Sequence, residues 1–228
     1  MKDKIICLVG GSGSGKTTIA KKLEEMSYNV IKSYTTRKPR STNEWGHTFV
    51  PFHELEDKNI TRYHSTITIQ GKRKNDYENK LVSYTYYNDG VIAYQELYGE
   101  DYWATKEQYQ GKGVSIYVVD PKGAKQIRDN VKDADVIIIF LMCDEKVRYD
   151  RLFNRYLETN IQDADRKAYK RIKADRDIFG ICKCDYVVDA NQTRDKVLRN
   201  ILDIIVINDI ETSGYPSYIP FREDGRCL

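Results

Sequence analysis

Residues 10–18 read GGSGSGKTT, directly after the apolar run Ile5-Ile6-Cys7-Leu8-Val9. The spacing Gly10-x4-Gly15-Lys16-Thr17, with a strand-like run before it and a helical pattern after it, is the Walker A pattern in its required context. Each part has a chemical reason. Glycines let the backbone curl until several N–H groups point at one anion. The N-terminus of the following helix adds its positive dipole end. Lys16 is placed to reach the β- and γ-phosphates of a nucleotide, and the Thr17 hydroxyl to ligate Mg²⁺. A bare strand-to-helix turn would need the glycines but neither Lys16 nor Thr17. The stretch Gly10, Gly11, Ser12, Gly13, Ser14, Gly15, Lys16, Thr17 and Thr18 is therefore the expected ATP site, with Mg²⁺ as cofactor.

Outward from the loop, two further apolar runs read as buried parallel-type strands, Val114–Val119 and Val136–Leu141, with a shorter one at Tyr186–Val188. Helical patterns cover Thr17–Met26, Gly123–Val131, Lys146–Leu157, Asp163–Ile178 and Thr193–Ile207. Strands alternating with helices predict an α/β fold: a three-layer P-loop core with a parallel sheet covered on both faces. Asp120 closes the second run. It reads either as a carboxylate approaching the metal or as a helix cap before Pro121.

One region breaks the rhythm. TRYHSTITI, a charged turn, KLVSYTYY, the turn Asn88-Asp89-Gly90 and VIAYQEL read as an antiparallel meander inserted into the core, with a loop tip around residues 71–80. The C-terminal stretch ETSGYPSYIPFREDGRCL carries two prolines and no period, so it reads as a tail.

Composition narrows the classes. The 228 residues suffice for one large domain with insertions. With 37 basic and 34 acidic residues the net charge is +3, too balanced to argue for nucleic acid or a membrane surface. The apolar start is too short for a signal peptide, and no run approaches the roughly 20 residues of a membrane span. The five cysteines are odd in number, and Cys182-Lys-Cys184 lacks a second pair, which predicts reduced thiols and no zinc. The expected location is the cytoplasm.

The stretch Ser33-Tyr34-Thr35-Thr36-Arg37-Lys38-Pro39-Arg40 carries two arginines three apart on a loop stiffened by proline, forked donors suited to a phosphate dianion. Taken with GGSGSGKTT, Gly46, the aromatic Phe49, YGEDYWAT, DPKGAKQIR and RLFNR, it closely resembles the guanylate kinase family over residues 4–53 and about 91–208. The resemblance implies a P-loop core (1–31, 111–143 and 179–209), a mixed or antiparallel β domain for the acceptor monophosphate (32–110, with an extra insertion at about 54–90), a helical lid (144–178) and a tail (210–228). It implies transfer of phosphate from ATP to a nucleoside monophosphate, GMP or dGMP by family default. It assigns the acceptor to Ser33, Arg37, Arg40, Phe49 (a tyrosine in the family) and Tyr102. It adds lid arginines at Arg155 and Arg171, so that Lys16, Arg37, Arg155 and Arg171 are the expected catalytic set, with Thr17 and Asp120 at the metal. Independently, Arg148, Arg151 and Arg155 fall on one helical face, where they either neutralise transferring phosphate or pair with Asp150, Asp163 or Asp175.

The departures are selective. The family's guanine-reading glutamate and aspartate fall on Ala93 and Val118, a serine beside the acceptor falls on Ala104, and the asparagine bordering the ATP base falls near Asp189. Glu96, three residues on, takes the place of the missing glutamate only if the alignment slips along the strand. Two alternatives therefore stand beside the guanylate reading. One is a kinase of the same fold for another or modified nucleotide or a sugar phosphate. The other is a non-catalytic interaction module.

Overall fold

The computed structural model describes residues 2–39, 42, 44–50, 60–70, 77–87, 90–97, 99–159, 161–179 and 182–211. In chain order the elements are β1 (Asp3–Val9), α1 (Lys16–Glu25), β2 (Asn29–Ile31), β3 (Ser33–Thr35), β4 (His47–Phe49), β5 (Ile60–Gln70), β6 (Tyr77–Tyr87), β7 (Val91–Leu97), β8 (Glu100–Thr105), β9 (Val114–Val118), α2 (Pro121–Asn130), β10 (Ala134–Met142), α3 (Glu145–Glu158), α4 (Ala164–Phe179), β11 (Tyr186–Asp189) and α5 (Arg194–Glu211). They form two compact units, Met1–Lys32 with Gln108–Leu228, and Ser33–Glu107.

The first unit is built on an all-parallel sheet in the order β11-β10-β1-β9-β2. β1 is its centre: Ile5 stands beside Val136 on one side and Ser115 on the other. Ile5 through Val9 are wholly buried, as a parallel strand covered on both faces requires. Each such Ile, Leu or Val contributes about 1.5–3 kcal/mol by leaving water. The chain leaves β1 toward β2 on one side and later returns to β10 on the other. The loop after β1 thus sits at the reversal point where open α/β sheets bind ligands.

Local chemistry sets the helices. Asp120 is the N-cap of α2, its carboxylate accepting the Gly123 N–H at 2.9 Å, with Pro121 at the first helical position. Gly123 lets Val119 pack close, because a Cβ there would lie 2.5 Å from Val119 Cγ2 and push that side chain aside. α3 and α4 pack on each other through Leu152, Ala168 and Ile172, ringed by Tyr149, Phe153 and Tyr156. On the β2–β9 side, Asn29 Nδ2 donates to the Gln108 carbonyl at 2.7 Å and Gln108 Nε2 to the Lys32 carbonyl at 2.6 Å. Cys7, Cys143, Cys182 and Cys184 are unbridged.

The second unit holds a four-stranded sheet, β4-β3-β8-β7, with β3 and β4 parallel and the other pairs antiparallel. Trp103, almost fully buried, stacks on Tyr34 at 5.4 Å and packs with Val50. Here the expected meander is corrected. β5 and β6 form their own antiparallel hairpin, from Ile60 opposite Tyr87 to Gln70 opposite Tyr77, while β7 pairs with β8. Leu97 stands opposite Glu100, with Gly99 between them at φ +79°, so β7 pairs with the strand that follows it most closely. The expected loop tip also shrinks, since Tyr77–Lys80 already belong to β6. Asn88 and Asp89 lie outside the described residues. Ser33–Thr35, read from sequence as loop, is strand β3.

Candidate functional site

The loop between β1 and α1 takes its shape from its glycines. Gly13 and Gly15 have φ of +81° and +99°, and Gly15 is the N-cap of α1. Two approaches are close. A Cβ at Gly11 would lie 1.9 Å from Arg148 Nη1 and would displace that guanidinium, whereas one at Gly13 would lie 2.6 Å from the Arg148 carbonyl oxygen, a backbone atom that cannot step aside. Lys16 turns its ammonium back onto the carbonyls of Gly10 and Gly11, with the Phe179 ring 5.7 Å away. Loss of hydration there lowers its pKa to about 8, against the pull of Asp175; Arg171, Arg148 and Arg155 push the same way as burial.

The helices α3 and α4 bring charge to the loop. Arg148, nearly buried, is ion-paired with Asp175 at 3.0 Å. Asp175 in turn accepts the Ser12 N–H, and Arg171 Nε donates to Ser12 Oγ at 2.7 Å. Arg151 ties the loop to the start of the last connection, with Nη1 on the Gly13 carbonyl at 3.3 Å and Nη2 on the Ala190 carbonyl at 3.0 Å. Arg155 is exposed, its guanidinium 5.6 Å from the Tyr156 ring. Of the sequence-expected cations, Lys16 and Arg171 therefore touch the loop, and Arg155 acts on it through space. Arg148 and Arg151, left open in the sequence, contact the loop directly.

These residues suit a triphosphate. Ser14 Oγ is buried in the loop with no hydrogen-bond partner among the described residues, and Thr17 is exposed on the first turn of α1. Among the described residues no three His, Cys, Asp or Glu side chains cluster as a cation cage. Mg²⁺ bound by one hydroxyl and the phosphates themselves needs no such cage. Asp120 uses one carboxylate oxygen on Gly123. Near Asp189, the carboxylate accepts from the Asn191 backbone and side chain and from Gln192 Nε2, and these bonds, the Asn191 backbone first, hold its pKa below the usual value.

The second unit gathers its own set. Arg37 Nε donates to the Tyr102 hydroxyl at 3.1 Å, and the guanidinium carbon stands 5.4 Å from the Phe49 ring. Glu44, missed in the sequence, takes both terminal nitrogens of Arg37. His47 lies edge-on to Phe49 and Tyr102 at 6.1 and 5.6 Å. Ser33 is buried in β3, opposite His47. Arg40 lies outside the described residues. Ala93 and Ala104 face each other in β7 and β8, both buried, next to a bulge between Val91 and Ala93. Glu96 is exposed, opposite Asp101.

Known proteins place this geometry. A family model described as an AAA domain matches residues 6–173. Among solved structures, the crystal structure of guanylate kinase from Anaplasma phagocytophilum matches with a TM-score of 0.50 at 16% identity, over 92% of this chain and 88% of that one. No curated protein matches the chain in sequence. The chain thus belongs to the AAA-domain family, and it is built on the P-loop kinase fold of the guanylate kinase kind.

Proposed function

We propose that the chain is an ATP-dependent phosphotransferase that moves the γ-phosphoryl group of ATP to a nucleoside monophosphate, giving ADP and the diphosphate, with GMP or dGMP as first acceptor. The observation that carries this reading is that one chain holds both a complete Walker loop and the Arg37–Tyr102–Phe49 cluster. An acceptor phosphate oxygen is already anionic, so the reaction needs positioning and charge neutralisation rather than a base. Lys16, Arg155 and Arg171 serve the donor. Ser33, Arg37, Arg40, Phe49 and Tyr102 serve the acceptor, with the Tyr102 hydroxyl held toward Arg37. Mg²⁺, held by Thr17 and with Asp120 as its second candidate partner, would neutralise charge on the phosphates. In this reading residues 144–178 are the lid and 32–110 the acceptor-binding domain, working in the cytoplasm. Among the described residues no helix is long and apolar enough to cross a membrane.

A second reading, another or modified base, is favoured by Ala93 and Val118. Both are apolar where the resembled family carries carboxylates that bond guanine. Losing two hydrogen bonds to charged groups, at about 1.5–3 kcal/mol each, changes base discrimination by orders of magnitude. The test is ADP production from Mg·ATP with a panel of ribo- and deoxynucleoside monophosphates and sugar phosphates, with Lys16→Ala as control. Preference for GMP or dGMP supports the first reading, and preference for another base supports the second. No Lys16-dependent turnover with any acceptor overturns both and leaves the interaction module.

A further inference from the structure

Arg171, Asp175 and Phe179 stand at i, i+4 and i+8 on α4, one face of the helix, and all three meet the phosphate loop. Arg171 bonds Ser12 Oγ, and Phe179 lies against Lys16. Between them Asp175, only 2% exposed, accepts the Ser12 backbone N–H, the Ser12 hydroxyl at 3.2 Å and Arg148 Nη1 at 3.0 Å. Arg171 Nε stands 3.8 Å from the same oxygen that takes the Ser12 hydroxyl. A backbone N–H of a glycine loop, a hydroxyl and two guanidiniums are the partners a phosphate oxygen takes.

We infer that Asp175 is an internal competitor for the donor's phosphates: its carboxylate holds the Ser12 N–H and Arg148 as a phosphate oxygen would, and it gives them up when a triphosphate binds. The inference rests on reading Gly10–Thr18 as a triphosphate site. The physical reason is charge. A carboxylate and a phosphate at one N–H repel each other, and Arg148 and Arg171 cannot lie between two anions with full benefit to both. Displacing Asp175 frees both arginines for the phosphate, so one exchange of partners couples donor binding to release of the α4 face. Asp175 thereby sets donor affinity without being a catalytic residue.

The test compares ATP binding by titration calorimetry in the full chain and in Asp175→Asn, which keeps the shape and removes the charge. We expect at least about tenfold tighter binding in the variant, the scale of one charged hydrogen bond. Equal or weaker binding by Asp175→Asn overturns the inference while ATP binding by the parent chain leaves the loop assignment standing. If the parent chain binds no ATP, the loop assignment itself falls and the inference with it. Because Asp175→Asn leaves Arg148 without its counter-charge, a second measurement uses the unaltered chain. The carbon-13 resonance of the Asp175 side-chain carboxyl should shift on saturation with ATP, since that carboxylate loses the Ser12 N–H and Arg148. An unchanged resonance would mean that Asp175 stays in place, which refutes the proposal.

Discussion

Arg37 and Glu44 meet fork to fork, Nη2 to Oε1 at 2.7 Å and Nη1 to Oε2 at 3.1 Å. The pair is largely shielded, with side chains 13% and 17% exposed. The bond to Glu44 is the main cause that raises the Arg37 pKa above its ordinary value, so the charge is permanent. With Nε committed to Tyr102, the guanidinium plane is fixed from two sides. Lysine keeps the charge but has no fork. Arg37→Lys should raise the acceptor KM by about tenfold or more and leave ATP affinity unchanged, as measured by steady-state kinetics beside a binding titration.

Lys16 predicts a pH dependence. Its proton is held below about pH 8 and lost above it, so ATP affinity should fall as pH rises through 8. Lys16→Arg, which does not titrate there, should give a flat profile. The effect on stability has the opposite direction. The unfolded lysine keeps its proton to its ordinary 10.5, so the unfolded chain carries the extra proton between about 8 and 10.5. The contribution of this group is complete above that window and is lost as pH falls through 8. Chemical denaturation across pH 7–10 checks the sign.

Glycine substitutions in the loop should rank by what a Cβ meets. At Gly13 it meets backbone at 2.6 Å and a left-handed φ together, whereas at Gly15 nothing lies within 4 Å and only the φ is unfavourable. Gly13→Ala should cost at least about 2 kcal/mol more than the roughly 1–2 kcal/mol expected for Gly15→Ala. Thermal melts of the two variants give the order directly.

Asp120 has a structural role in α2 and a proposed one at the metal. Asp120→Ala should lose about 1 kcal/mol of stability, and Asp120→Ser, which still caps, should recover it. Phosphoryl transfer separates the roles. Activity restored by serine marks a cap alone, and activity lost in both variants marks a carboxylate needed by the metal.

The core was readable because its strands are long apolar runs. Ile5–Val9 is wholly buried and Val136–Leu141 is a continuous apolar run, buried or half-buried throughout, so no alternation hides them. β2, β3 and β4 are three residues each, too short for any period, and only their neighbours in the sheets define them. The phosphate loop follows from local spacing alone. The contacts of Asp175 and Phe179 with the loop escaped because they join segments far along the chain, Asp175 lying 163 residues from Ser12, whereas Glu44 is only seven residues from Arg37 and its pairing depends on how the chain between them turns. A signal for two of them was present in the 171/175/179 spacing. The partner of β7 was misread because turn signals stand on both sides of it, and the pairing is the one on the Gly99 side.

The bonds that join Asn29 and Lys32 to Gln108 clasp the two ends of the Ser33–Glu107 unit. Closing a loop costs entropy that grows only with the logarithm of its length, about 0.6 kcal/mol per doubling. Between such pinned ends the inserted chain can lengthen, shorten or be exchanged at little thermodynamic cost to the sheet. A short linker from Lys32 to Gln108 should therefore leave a core that folds by itself. The same economy lets the inserted unit change its chemistry over evolutionary time while β1 and its glycine loop stay as they are.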